Sequence, residues 1–413
     1  MAYKIFIDGQ AGTTGLRLAG RLAGRPGIEL VWIPEAKRKD IGARLSCIAE
    51  ADVSVLCLPD DSAREIVAAV DVAAAREGPG SALAKSRIID CSTAHRTAAG
   101  WTYGMPELID IDRSTRRVAN PGCHATGFIL SVRPLVDAGI VSPDAALSLF
   151  SLTGYSGGGK PMIAQYEAGV PGGGVISGSG DVFGGGVSGG GVISGSGGKP
   201  MIAQYEAGVP GGGGVPGGGV ISGGGGKPMI AQHEAGVPGG GVQGGGAVSA
   251  KGGAAQVDSS LMAPRLYALS QEHKHIPEMK EYSGLRAGPV FAPIVCGFYS
   301  GMLTCVPLPR SMLRMDVSAE GIYWLLAGFY GDCPLVKVRA PGYGFTEAAG
   351  EGYLSAEAFS GRDDIEILVT GKDDKMEIVA RYDNLGKGAS GAAIQNMNLM
   401  LGLPEASGLV LGL

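Results

Sequence analysis

The residues best suited to chemistry lie in one stretch, Asn120-Pro121-Gly122-Cys123-His124-Ala125-Thr126. Asn-Pro-Gly is a turn signal, and the apolar residues from Phe128 to Val136 recur at helical spacing. Cys123 is therefore expected on the first turn of a helix. There the unpaired backbone N–H groups and the positive end of the macrodipole favour an anion, and a thiol should lose its proton more easily. The thiolate is the nucleophile; the alternative is an ordinary buried structural cysteine. A second stretch, Gln271-Glu272-His273-Lys274-His275-Ile276-Pro277-Glu278-Met279, holds two of the five histidines. If it is extended, His273 and His275 face one side. A histidine near a cysteine thiolate serves as general acid and base. The same His-x-His pair suits a metal, but no third ligand cluster accompanies it, so no metal site is expected; surface histidines are the plainer reading. A third stretch, Cys91-Ser92-Thr93-Ala94-His95-Arg96, follows an apolar strand pattern. Its hydroxyls and arginine would stand where parallel sheets bind ligands. Arg96 can hold a phosphate bidentately, or pair with a surface carboxylate.

The elements that must position these residues follow from periodicity. Lys4 to Asp8 reads as a short buried strand, then Gly9-Gln10-Ala11-Gly12-Thr13-Thr14-Gly15, then Leu16, Leu18 and Leu22 on a helical pattern. Strand, glycine turn and helix form the setting of a dinucleotide fingerprint. The spacing G-x-x-G-x-x-G departs from G-x-G-x-x-G, but the physics is shared: glycine lets the backbone approach a pyrophosphate, and the helix N-terminus meets its charge. Ile28 to Pro34 is a second strand, followed by Glu35 and then Lys37, Arg38 and Lys39. Three cations there suit a 2′-phosphate, so NADP is favoured over NAD, against the plain reading of a solvated basic turn. Asp52–Leu58 and Arg87–Asp90 are further strands, and Pro59-Asp60-Asp61-Ser62 carries capping residues for the helix between them. Strands alternating with helices give a doubly wound α/β sheet.

Beyond the cysteine helix, Ala146–Leu152 reads as a strand leading into a second glycine loop, Thr153-Gly154-Tyr155-Ser156-Gly157-Gly158-Gly159-Lys160. Gly288–Leu308 and Ile365–Tyr382 are strand-rich and Ser318–Tyr330 has a helical pattern, which suggests an α+β second domain. A third glycine loop, Asp383-Asn384-Leu385-Gly386-Lys387-Gly388-Ala389-Ser390-Gly391, precedes a final helix and is another candidate to face an anion or cofactor. The segment Lys160–Pro171 recurs unchanged at Lys199–Pro210, and again at Lys227–Pro238 with His233 for tyrosine. The unequal spacing of the copies argues against a solenoid. The spacers between them, rich in glycine and valine, resemble elastin and cannot build a core. Only the first copy is expected to belong to the fold, with 169–259 an exposed insertion.

The chain has 413 residues, 34 Lys and Arg against 39 Asp and Glu, and net charge −5. It has no basic field for nucleic acid, no apolar run long enough to span a bilayer and no signal-peptide pattern at its start. Seven cysteines without paired spacing argue against a disulfide framework or a zinc site. A cytoplasmic location is expected.

These motifs together resemble N-acetyl-γ-glutamyl-phosphate reductase, closest to the shorter of its two branches, over the whole chain except the glycine-rich segment. The matching pieces are Lys4–Gly15, Leu56–Asp61, Asp90–Arg96, Asn120–Thr126, Gly154–Glu167, His273–Met279 and Asp383–Asn398. The resemblance implies a Rossmann-type NADP domain (1–147 with 386–413) and a catalytic and dimerisation domain of the semialdehyde-dehydrogenase type (148–168 and 260–385). It implies Cys123 as nucleophile and His275 as acid and base, with His273, Ser92 and Arg96 toward the substrate. Gly9, Gly12, Thr13, Thr14, Gly15, Arg38, Gly157, Gly158 and Asn384 would face NADP(H). The implied reaction is NADPH-dependent reduction of N-acetyl-glutamyl 5-phosphate to the semialdehyde, in arginine biosynthesis, by a homo-oligomer. His124 stands where that family usually has tyrosine. The alternatives are a reductase like aspartate-semialdehyde dehydrogenase, or a catalytically disabled scaffold carrying an elastin-like segment.

Overall fold

Short apolar runs alternate with amphipathic segments through the first 120 residues, and they close into a six-stranded, wholly parallel sheet of order β2-β1-β3-β4-β6-β5. The strands are β1 (Tyr3–Asp8), β2 (Ile28–Val31), β3 (Val53–Leu56), β4 (Ile88–Asp90), β5 (Thr102–Tyr103) and β6 (Arg117–Ala119). Helices α1 (Thr13–Leu22), α2 (Ile41–Glu50) and α3 (Asp60–Glu77) alternate with the first strands. This is a computed structural model, and it describes residues 2–168, 259–341, 346–347 and 350–412. Apart from its last residue, Ser259, the insertion expected over 169–259 lies outside the described residues, as do the second and third copies of the repeat.

After β6 the chain enters α4 (Cys123–Asp137), whose residues from His124 to Val132 are all buried. It crosses to a mixed seven-stranded sheet of order β11-β14-β15-β10-β7-β9-β8. Those strands are β7 (Ser148–Gly154), β8 (Arg265–Leu266), β9 (Val290–Cys296), β10 (Met302–Pro309), β11 (Val336–Arg339), β14 (Ile365–Lys372) and β15 (Lys375–Tyr382). A two-stranded ribbon, β12 (Thr346–Glu347) with β13 (Gly350–Glu351), lies between β11 and β14 in the chain. Helices α5 (Gly159–Glu167), α6 (Ser259–Met262), α7 (Ile276–Ser283) and α8 (Ala319–Phe329) belong to this part of the chain, and α9 (Gly391–Leu401) returns to the parallel sheet. There α9 packs Ile394, Met397 and Met400 against Ile5, Val55 and Val118. Strand β7 runs two residues later than its apolar pattern predicts, so Thr153 and Gly154 pair with β9 instead of opening a loop. Asp60 does not cap its own helix; its carboxylate accepts from the Thr93 backbone N–H at 2.9 Å and from the Thr93 hydroxyl, tying two loops together.

The largest core forms around α4, with Phe128 and Leu135 among Phe291, Leu308, Ile367 and Ile378. Pro134 stands inside this helix. It has no N–H, so the carbonyl four residues earlier loses its partner. That carbonyl belongs to Leu130, and the buried Tyr330 hydroxyl donates to it at 2.7 Å. A buried acceptor left without a donor costs about 1–3 kcal/mol. Tyr330→Phe should therefore lower stability by about that amount, read in urea as a lower midpoint at unchanged slope.

Candidate active site

Cys123 is the first residue of α4, and Gly122 before it is the N-cap with extended backbone. The first turn is held by an inserted side chain. The Tyr382 hydroxyl donates to the Cys123 carbonyl at 2.6 Å and accepts from the Gly127 N–H at 3.1 Å, bridging groups that otherwise bond each other along the helix. Gly127 must be glycine, because a Cβ there would lie 2.5 Å from Thr304 Oγ1 and 2.7 Å from the Tyr382 hydroxyl. The preceding turn is anchored through Asn120. Its side-chain amide donates to the Ala389 carbonyl at 3.0 Å and its Oδ1 accepts from Asn396 at 3.2 Å.

On the other side of the turn stands the buried carboxylate of Glu278. It accepts from Arg96 Nη1 at 2.6 Å, from the Tyr103 hydroxyl at 2.6 Å and from the Gly122 N–H at 3.0 Å. Arg96 also donates through Nε to the Asn120 carbonyl at 2.9 Å. Arg96 is therefore neither free for bidentate grip nor on a surface carboxylate: it is buried against Glu278. A Cβ on Gly122 would lie 2.4 Å from Arg96 Nη1, 2.5 Å from Glu278 Oε1 and 2.6 Å from His275 Nε2. Only a glycine lets these three groups gather at the cysteine.

Arg96 and His275, with Glu278 buried behind them, face a cavity of about 360 Å³ lined also by Cys123, His124, Tyr267, His273, Lys274, Asn384, Thr13, Thr14 and the glycines 157–159. His273 and His275 are not extended. His275 caps α7 with helical backbone angles, and its N–H donates to His273 Nδ1 at 3.2 Å, yet both rings reach the cavity with centroids 4.7 Å apart. His275 Nδ1 is buried without a hydrogen-bond partner. Burial and the Arg96 cation hold the His275 pKa well below the ordinary imidazole value; burial and Lys274 lower His273 to about 4. His124 is neutral in the same way, lowered to about 3 by burial, and contacts Ser151 Oγ and the Tyr267 hydroxyl at 2.7 Å each.

The glycine loop after β1 has the shape a pyrophosphate needs. Gly9 has φ +86°, and a Cβ on it would lie 2.3 Å from the Cys57 carbonyl; one on Gly15 would lie 2.4 Å from the Gly9 carbonyl. Gly12 caps α1 without a side-chain bond, and the buried Thr13 hydroxyl and Gln10 amide nitrogen lack partners. Bare N–H groups, a close backbone and unpaired donors fit a dinucleotide's diphosphate. Gly157 and Gly158 line the same cavity, and Asn384 is fixed there between Ser156 Oγ (3.1 Å) and the Gly301 N–H (2.9 Å).

Other expected residues stand elsewhere. Ser92 does not line the cavity; its hydroxyl donates to Asp90 at 2.7 Å and shapes its own loop. Arg38 lies beside a 3-10 turn after β2, half-exposed, in an ion pair with Glu35 at 2.7 Å. Lys387 does not face the cavity, since its buried ammonium bonds Glu107 and Gln395 at 2.5 Å each. The sequence pattern missed Lys274, Glu278 and Tyr267. The first two sit within the histidine stretch and were visible there as charges; nothing local marked Tyr267. Among the described residues no group of three His, Cys, Asp or Glu is placed to hold a metal ion.

The thiol itself departs from the sequence expectation. Burial raises the Cys123 pKa to about 11, outweighing the lowering by Arg96 and by the His124 backbone N–H. Helix position is the weaker effect because desolvation penalises the charged form directly. Alkylation of Cys123 by iodoacetamide in the free protein should thus rise about tenfold per pH unit from pH 7 to 10. Peptide-resolved mass spectrometry would check this, and a plateau near pH 8 would reveal a thiolate already activated.

Fold and site define a semialdehyde-dehydrogenase type of oxidoreductase, with a parallel dinucleotide sheet, a mixed second sheet and a cysteine on the first turn of the helix between them. The family described as semialdehyde dehydrogenase, dimerisation domain, matches residues 223–384. Two solved structures share the fold. They are aspartate semialdehyde dehydrogenase II from Vibrio cholerae (TM-score 0.54, 13% identity, 97% of this chain and 98% of that one) and the enzyme from Francisella tularensis (TM-score 0.56, 12% identity, 96% and 99%). In sequence the chain is 35% identical over 412 residues to N-acetyl-gamma-glutamyl-phosphate reductase 2 of Nostoc sp., covering 98% of this chain and 99% of that protein. It is 34% identical over 408 residues to the reductase of Sinorhizobium medicae, covering 97% and 99%. The chain belongs to the N-acetyl-gamma-glutamyl-phosphate reductase family.

Proposed function

We propose that this chain reduces N-acetyl-glutamyl 5-phosphate to N-acetyl-glutamate 5-semialdehyde and phosphate with NADPH, in arginine biosynthesis in the cytoplasm. The observation that carries this reading is a cysteine at a buried helix N-terminus, ringed by Arg96, Lys274 and His275, in the cavity that the glycine loop also lines. Cys123 Sγ attacks the acyl carbonyl, the thiol proton passes to the neutral imidazole of His275, and a carbon–sulfur bond replaces the carbon–oxygen bond to phosphate. Arg96 and Lys274 stabilise the departing phosphate. Gly9, Gly12, Gly15, Thr13, Thr14, Gly157, Gly158 and Asn384 would hold NADPH, which would supply the hydride. His275, now cationic, stabilises the carbonyl oxygen, then returns its proton to sulfur as the aldehyde leaves. A neutral imidazole beside a neutral thiol is a starting state from which this proton transfer separates charge only when substrate is present. His273 contacts the substrate; Ser92 supports the loop that carries Arg96; the basic turn at Arg38 receives the 2′-phosphate.

The domain division that supports this reading runs 1–147 with 386–413 for NADP, and 148–168 with 260–385 for catalysis and dimerisation. Residues 169–259 are read as an elastin-like insertion. The test is phosphate-dependent reduction of NADP with N-acetyl-glutamate semialdehyde, on this chain and on one lacking 169–259. Cys123→Ser should lower turnover by at least about 10³-fold while NADPH binding persists. Turnover in that variant would remove the nucleophile assignment, and silence in both chains would turn attention to aspartate semialdehyde.

A homodimer is proposed through the outer face of the second sheet. Register sets Ala292, Phe150, Cys305, Val379 and Leu368 side by side across five strands, with Leu266, Ile294, Leu152 and Leu303 in the next row. Leu303, Leu368 and Val379 are already buried with Leu354 and Ala356, while Phe150, Val290 and Leu266 toward the other edge are 46%, 61% and 51% exposed, an apolar surface that calls for cover. Phe150→Lys should shift the mass measured by light scattering from dimer to monomer.

A further inference from the structure

We propose that Cys57 and Cys91 form a dithiol modification site on the wall of the cofactor cavity, and that their oxidation to a disulfide weakens NADP(H) binding. The second half rests on the reading that the glycine loop holds the dinucleotide. Cys57 follows β3 and Cys91 follows β4, which pair in parallel with Leu56 level with Asp90. The Cys91 N–H donates to the Leu56 carbonyl at 2.9 Å, so the ladder continues to these two residues and leaves them abreast. Neighbouring strands lie about 4.8 Å apart, inside the Cα separation of about 4.4–6.8 Å that a disulfide accepts. The neighbouring Cys91 thiol is the largest influence on the Cys57 thiol and raises its pKa. Both thiols are free and line a second cavity with Gly12, Thr13, Thr14 and Lys160, and Cys91 also borders the cavity of Cys123. The proposed reaction uses Cys123 and has no part for this pair.

The oxidant is a low-molecular-weight disulfide. The Cys91 thiolate attacks one of its sulfurs, forming a mixed disulfide and releasing one small thiol. The Cys57 thiol gives its proton to solvent and attacks the Cys91 sulfur, and the second small thiol leaves with the electron pair and gains a proton. The two protein thiols lose two electrons and two protons; the oxidant becomes two thiols. The neighbouring Cys91, burial and the charges of Asp90 and Asp8 raise the Cys57 pKa. Capping Cys91 removes that sulfur's charge, so the first step prepares the second.

The consequence for binding is steric. The Cys57 carbonyl is packed so closely on Gly9 that no Cβ fits between them, and the Cys57 N–H donates to the Asp8 carbonyl at 2.7 Å. The sheet order places β3 between β1 and β4, so drawing the two sulfurs to bonding distance of about 2.05 Å pulls Cys57 toward β4, loosens the close contact of its carbonyl on Gly9, and shifts Cys91 at the start of the loop to Arg96.

The test uses the full chain with Cys123→Ser, so that the nucleophile does not react. After oxidised glutathione, peptide mapping should find Cys57 linked to Cys91, thiol titration should fall by two, and the Kd for NADPH should rise about tenfold; dithiothreitol should reverse all three. In Cys57→Ala and Cys91→Ala chains the ratio of oxidised to reduced Kd should stay near one. A folded chain that yields no Cys57–Cys91 peptide overturns the proposal, and so does a linked chain whose Kd is unchanged. If the reduced chain binds no NADPH, the cofactor reading is what fails, and the linked peptide alone then decides whether the dithiol exists.

Discussion

A carboxylate taken out of water must be matched by donors that stay with it, and around Glu278 that requirement organises the centre of the molecule. Its partners come from three distant places in the chain: Arg96 after β4, Tyr103 in β5 and the Gly122 N–H at the head of α4. Each bond fixes one wall of the cavity. Arg96 is turned toward the cysteine turn and away from solvent, and the N-terminus of α4 cannot tilt without breaking the bond to Gly122. Tyr382 performs the matching task one turn further along, inside the ladder of the same helix. The Cys123 thiol is thus carried on a helix end clamped from both sheets.

The clamp has an electrostatic consequence. The protein gathers Arg96, three histidines and Cys123 around one cavity, and burial then decides the charges. The imidazoles are pushed toward neutrality and the thiol is pushed up to about 11. Arg96 remains charged because Glu278 is beside it. The site therefore rests with its proton on sulfur and the Arg96 charge already paired with Glu278.

Much of the architecture was legible because it depends on short-range pattern. The strand–glycine–helix signal at β1 and α1, the near-continuous apolar run of β3 and the periodic apolar face of α8 each come from a dozen residues or fewer. The boundaries slipped where tertiary pairing extends an element, as at Thr153 and Gly154, which join β7 because β9 offers them a partner. The motif residues were found where glycine or turn chemistry marked them. Gly9 and Gly15 were visible in the sequence, although the carbonyl contacts that exclude a side chain were not. Lys387 misled because a lysine in a glycine loop looks alike whether it faces an anion or, as here, a buried glutamate 280 residues away.

The sequence by itself determined which chemical groups are available and, for some, which local element carries them: a cysteine after Pro-Gly at a helix start, a His-x-His pair, a glycine turn after a first strand. Tertiary structure alone decided their state. Whether Arg96 is free or paired, whether the histidines sit extended or curled, and whether the thiol is acidic or protonated all depend on burial and on partners remote in the chain. Gly122 meets Glu278 across 156 residues, and Cys123 meets Tyr382 across 259. Helix position and turn type are written in neighbouring residues; desolvation belongs to the packed whole, and at Cys123 it is the larger effect.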